Sequence, residues 1–139
     1  IALSQTRWVR RFTTEELRGL GKGADTPIDV EDLRRNTVYG GYHEKDMAVQ
    51  YFWEALSLLD QASLKAFLRF VTSSPNPPLL GFSELNPKFA IRHAGDDITR
   101  LPTASTCVNL LKLPAYNSTA QCLEKVKYAI YSGAGFDLS

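Results

Sequence analysis

Few side chains in this sequence can act as nucleophiles or metal ligands: two cysteines, Cys107 and Cys122, and two histidines, His43 and His93. A structural metal needs its Cys and His ligands in close, regular pairs. These four are scattered without such spacing, so neither a metal nor another cofactor is expected. A cysteine protease is a second option. It needs a thiolate, a neighbouring imidazole and usually an orienting Asn or Asp, for which Cys107, His93 and Asn109 are the available set. Against it, a lone histidine in a strand is more often a surface or satisfied core residue, and neither cysteine opens a predicted helix, where its thiolate would be favoured. The third option is an acceptor thiol for transthiolation. There the acyl group arrives already activated as a thioester on another protein, and the chain supplies an accessible nucleophile. Arg92 and Arg100 would favour a nearby thiolate, and Thr106 can donate a hydrogen bond to a developing oxyanion. The plainer readings are a solvated surface for both arginines and a turn residue for Thr106.

The segment around Cys107 decides what that thiol can reach. Pro102 disfavours helix at Leu101 and sets a turn. Thr103 to Thr106 are small and polar, as expected of an exposed loop. Val108 to Leu113 is mostly apolar and closed by Pro114, which predicts a short strand. Cys107 is therefore expected where a loop enters a strand, rigidly held yet accessible. Cys122 falls in a predicted helix and is expected to be buried as a small apolar group. Two cysteines do not make a secreted disulfide framework. Both are expected as reduced thiols, in a cytoplasmic and/or nuclear protein.

The elements that position these residues can be read in order. Residues 1–20 read as helix followed by a second short helix, with Thr13-x-x-Glu16 as a capping box. Gly19, Gly21 and Gly23, then Ala24 to Pro27, form a composition break and predict a flexible linker. No P-loop signature accompanies those glycines. Asp29 can cap a short helix through Arg35, and Thr37-Val38-Tyr39 is a brief β-like run ending at Gly40-Gly41. Ala48, Phe52, Ala55 and Leu59 share one helical face, widened by Trp53 and Leu56. Asp60 can cap the next helix, whose Leu64, Phe67, Leu68 and Val71 form its stripe before Pro75, Pro77 and Pro78 end it. Leu79 to Asn86 predicts a compact loop or single turn, Phe89 to His93 a strand, and Ala94 to Thr99 a polar turn. Ser118-x-x-Gln121 resembles a capping box for a last helix with Leu123, Val126 and Ile130 as its stripe and Gly133 at its C-cap. The result is an α/β (α+β) domain from about residue 28, a small sheet packed with helices.

Composition narrows the function classes. A hydrophobic fraction of 44% supports a folded core. A net charge of +1 provides no electrostatic case for nucleic acid or an anionic membrane, and the arginines around Trp8 are too few to change that. No apolar run reaches membrane-spanning length. The chain opens at Ile1 rather than Met and is expected to be a piece of something longer.

The pattern Leu-Pro-x-x-x-Thr-Cys-x-Asn-x-Leu-x-Leu-Pro-x-Tyr, from Leu101 to Tyr116, resembles the active-site segment of HECT-type ubiquitin ligases. The resemblance extends in order through Phe12-Thr13-x-Glu15-Glu16-Leu17, Ile28-Asp29-x-x-Asp32-Leu33, Thr37-Val38-Tyr39-Gly40-Gly41-Tyr42, Phe52-Trp53-Glu54, Phe67-Leu68-Arg69-Phe70-Val71-Thr72, Pro78-Leu79-Leu80-Gly81-Phe82 and Gly135-Phe136. It covers nearly the whole chain. The sequence departs from many members at Ser105, where they carry His, and at Val108, where they carry Phe, and it ends Asp137-Leu138-Ser139 where some end in an acidic residue.

What the resemblance implies is specific. Residues 1–20 would be the end of the family's large N-lobe, residues 21–27 a hinge containing Gly21 and Gly23, and residues 28–139 the cysteine-bearing C-lobe. Cys107 would accept ubiquitin as a thioester from a ubiquitin-conjugating enzyme and pass it to a lysine of a protein substrate, with Thr106 in support. Phe136 would matter for the lysine-transfer step, and Asp137 is a weaker candidate beside it. The conjugating enzyme would dock mainly on the missing N-lobe, so an isolated lobe is expected to be poorly active. The competing reading is a non-catalytic ubiquitin-binding or scaffolding module.

Overall fold

The computed structural model describes residues 26–132. The expectations for residues 1–20, Gly21, Gly23, Gly133, Phe136 and Asp137 lie outside that range. The first element is helix α1, Val30–Arg35. Asp29 caps it, accepting the Glu31 and Asp32 N–H groups at 3.0 and 3.2 Å, which satisfies donors that a helix start leaves without partners. Asp32 then reaches out of the helix to accept the Phe82 N–H at 2.8 Å. This ties α1 to a one-turn 3-10 helix, Phe82–Glu84. Gly81 makes that approach possible: its φ is +104°, and a Cβ there would meet the Asp32 carboxylate at 3.1 Å.

Two longer helices supply most of the core, α2 (Met47–Ser57) and α3 (Gln61–Thr72). Asp60 caps α3 by accepting the Ser63 N–H at 2.8 Å, and those bonds hold its carboxyl below the usual range. The expected stripe Leu64, Phe67, Leu68 and Val71 is fully buried, joined by Phe70. On α2 the buried face is Val49, Phe52, Trp53, Ala55 and Leu56, whereas Ala48 is only half-buried. The core face is thus turned one position from the expected one at its start. Phe52, Trp53, Phe67 and Phe89 meet in edge and tilted contacts with centroids 4.9–6.3 Å apart. Burying each such ring contributes roughly 2–3 kcal/mol. The Trp53 indole N–H donates to the Tyr39 hydroxyl at 3.1 Å, so its polar atom is also satisfied.

The sheet has four strands: β1 (Val38–Gly40), β2 (Ala90–His93), β3 (Thr103–Ser105) and β4 (Leu110–Leu113), in spatial order β1-β2-β4-β3. β1 runs parallel to β2 and β2 parallel to β4, while β3 is antiparallel to β4. Ile91, Ala104, Leu111 and Leu113 are fully buried from this sheet. The last helix, α4 (Thr119–Ser132), packs on α2 and α3. Ser118 accepts the Gln121 N–H at 3.1 Å, while the Gln121 side chain returns one residue further, to the Asn117 N–H at 2.8 Å. Its inward face is Cys122, Val126 and Ala129, with Leu123 and Ile130 only partly buried. This is the α+β arrangement, helices on a small mixed sheet.

The expectation that overturns most clearly concerns Thr103 to Thr106. Thr103–Ser105 is a strand, with Ala104 and Ser105 buried, rather than an exposed loop. Pairing with β4 satisfies its backbone, so short polar side chains can sit there at little cost.

Candidate active site

Cys107 lies in a one-turn 3-10 helix, Thr106–Val108, which joins antiparallel strands β3 and β4. It therefore occupies a turn between two strands, not the start of a strand running from Val108. Thr106 opens the turn and its carbonyl accepts the Asn109 N–H at 3.4 Å. The Cys107 thiol is exposed and reduced, and Val108 beside it is 46% exposed. Exposure on a turn braced by paired strands is what an acceptor thiol for a protein-bound thioester requires: access for a large partner and little freedom to relocate.

The brace is Asn109. It adopts φ 53° and ψ 45°, the left-handed region that Asn tolerates better than most residues. That conformation reverses the chain out of the turn and into β4. Its side-chain amide donates to the Pro87 carbonyl at 2.7 Å, and its own carbonyl accepts the Ala90 N–H at 3.0 Å. The residue is 7% exposed. Asn109 thus fastens the cysteine turn to the start of β2. From sequence, its polarity at the head of a mostly apolar run is the signal that flags it.

His93 does not join the thiol. Register pairs Ala90 with Leu110 and His93 with Leu113, so the histidine is ~10 Å further along the strands from the turn. Its ring packs edge-on against Tyr42 with centroids 4.8 Å apart, and Nε2 lies 3.3 Å from the Asp96 carboxylate. The protease arrangement of Cys107, His93 and Asn109 is therefore not assembled. Arg92 sits level with Lys112, and Arg100 precedes the far end of β3. The Arg100 carbonyl there accepts the Tyr116 hydroxyl. His43 is at the surface near Asp46. Among the described residues no cluster of His, Cys, Asp or Glu could hold a metal ion.

Cys122 is fully buried in α4, and burial pushes its thiol up to about 12. Gln61 at the start of α3 brackets Ile28, accepting its N–H at 2.7 Å and donating to its carbonyl at 3.1 Å. Lys65 donates to the Thr26 carbonyl at 3.2 Å. α3 also packs against the cysteine turn.

A family model described as HECT-domain (ubiquitin-transferase) matches residues 2–139. The E3 ubiquitin-protein ligase HUL5 of Saccharomyces cerevisiae is 52% identical over 132 residues, covering 95% of this chain and 14% of that protein. The E3 ubiquitin-protein ligase UPL6 of Arabidopsis thaliana is 44% identical over 138 residues, covering 95% of this chain and 13% of its own length. Ubiquitin-protein ligase E3B of Homo sapiens is 39% identical over 164 aligned positions, covering 99% of this chain and 15% of the relative. The chain thus spans a small part of the length of each of these relatives. With a match over all but its first residue, the chain belongs to the HECT-domain (ubiquitin-transferase) family.

Proposed function

We propose that this chain is the cysteine-bearing lobe of a ubiquitin ligase, with Cys107 as the acceptor nucleophile. The Cys107 thiolate attacks the carbonyl of a ubiquitin thioester on a conjugating enzyme, and the enzyme's own cysteine thiolate leaves. A lysine amine of a protein substrate then attacks the new thioester. An isopeptide bond forms, Cys107 is released as a thiolate, and the amine's proton passes to solvent or to Asp137. Thr106 serves as a donor near the developing oxyanion. Gly21 and Gly23 supply the swivel, N-terminal to the point where Lys65 and Gln61 hold Thr26 and Ile28. Phe136 serves the lysine-transfer step by fixing the orientation of the lobe.

The observation that carries this reading is the exposed Cys107 on a turn braced by Asn109, in a chain of this family. The test is to incubate the intact parent protein with charged conjugating enzyme and run non-reducing gels. A ubiquitin adduct that thiol reagents release is expected, absent from Cys107→Ala and retained in Cys122→Ala. An adduct that persists in Cys107→Ala rejects the assignment. No adduct in any form, with ubiquitin still bound, makes the lobe a ubiquitin-binding module instead.

A further inference from the structure

Helices α3 and α4 leave a groove of about 670 Å³ between them. Ala66, Phe70 and Ile130 line it with apolar surface. Lys65 and Arg69, one helical turn apart on α3, line it with positive charge. Ser132, the last residue of α4, lines it too, so the chain leaves the helix from within the groove. A volume of this size suits a few side chains, being within the range of clefts that enclose small ligands (roughly 300–1,000 Å³).

The residues that follow are Gly133-Ala134-Gly135-Phe136-Asp137-Leu138-Ser139. Phe136 is four residues beyond the lip, a reach of at most ~14 Å. In an extended segment Phe136 and Leu138 project to one side and Asp137 to the other. Asp137 is the one charged side chain of this segment, and its sign is opposite to that of Lys65 and Arg69. We propose that residues 133–139 seat in this groove of their own lobe, with Phe136 against Ala66, Phe70 and Ile130 and Asp137 beside Arg69. The N-terminal segment is a poorer occupant, because its five Arg and Lys against three Asp and Glu give residues 1–25 a net charge of the groove's own sign. The seat borders the linker, since Lys65 also holds the Thr26 carbonyl. Its regulatory consequence rests on the proposed function: a seated Phe136 must leave before it can orient the lobe for lysine transfer. The seating itself does not depend on that reading.

The experiment is NMR on the 139-residue chain, with the Ala66 and Ile130 methyls labelled. Cross-relaxation from the Phe136 ring to both methyls is expected, along with loss of their ring-current shifts in Phe136→Ala. Arg69→Glu should weaken those contacts several-fold, and Asp137→Arg in the same chain should restore them. Absence of contact between the Phe136 ring and these methyls, in a chain with dispersed core resonances, overturns the proposal. So do contacts from Trp8 or Phe12 in its place, which would seat the N-terminal segment there, and contacts found only between differently labelled chains, which would seat a second copy. Because no ubiquitin is involved, an inactive chain with a seated tail and an active chain with an unseated tail are distinguishable.

Discussion

The two cysteines of this lobe have the same chemistry and opposite environments. Cys107 is exposed on a turn at the end of the sheet, while Cys122 is buried on the inward face of α4. The local sequence around each is unremarkable in charge. What separates them is backbone topology: a 3-10 turn between paired strands pushes one thiol outward, and the closest-packed face of a helix draws the other inward. Access to each thiol is therefore a property of placement.

The largest test of that contrast is alkylation at neutral pH. Moving a thiol from its ordinary 9.0 to about 12 lowers its thiolate fraction by ~10³, before access is counted. Mass spectrometry after brief iodoacetamide treatment should find Cys107 modified and Cys122 untouched until the chain unfolds. Comparable rates at both sites would erase the distinction. The next test asks whether accessibility at Cys107 is sufficient for both chemical steps. In the intact parent, Phe136→Ala should leave thioester formation near normal and slow transfer to lysine by up to ~100-fold, the equivalent of burying one aromatic ring. A parallel loss of both steps and of melting temperature would make Phe136 simple packing.

A smaller effect probes the brace. Asn109→Ala loses both the bond to Pro87 and the ease of the left-handed backbone, for a cost of about 2–3 kcal/mol in denaturant unfolding. Asn109→Gly keeps the backbone and should cost about 1 kcal/mol less. Equal costs would show that the left-handed conformation contributes nothing. The smallest effect concerns Cys122 itself. Its folded form keeps the proton that the unfolded chain releases, so its contribution is complete below pH 9 and declines as pH rises toward about 12. Between pH 8 and 10 it should remove about 1 kcal/mol of stability, on top of a similar loss from Tyr39, Tyr42 and Tyr116, whose hydroxyls burial also raises above their ordinary 10.0. Cys122→Ala should flatten that part of the stability curve, and an unchanged slope would refute the assignment.

Much of this architecture was legible because caps and stripes are local. Asp29, Asp60 and Ser118 announce helix starts through side chains that reach only two or three residues onward. The stripe of α3 repeats at helical period, and its residues are buried as that period requires. β3 was not legible because Thr103-Ala104-Ser105 has no hydrophobic alternation; its strand character comes entirely from pairing with Leu110 to Lys112, across the turn. The same blindness affected the site. Cys107 stands out as the reachable thiol, whereas His93 and Asn109 are its partners only on paper: strand register carries one away and burial commits the other to Pro87. Side-chain type indicates which groups are capable of chemistry, and register decides which of them meet.

Helix α3 joins two features described separately: Gln61 at its first turn clasps Ile28, and the helix body packs against the cysteine turn. With 12 residues it is ~18 Å long. The clasp and the cysteine turn are therefore tied to one rigid rod. A rotation of 10° about the clasp would carry a point one helix length away through about 3 Å, the difference between a nucleophile in attacking range and one out of it. The grip of Gln61 on Ile28 is thereby a constraint on where the thiol can aim.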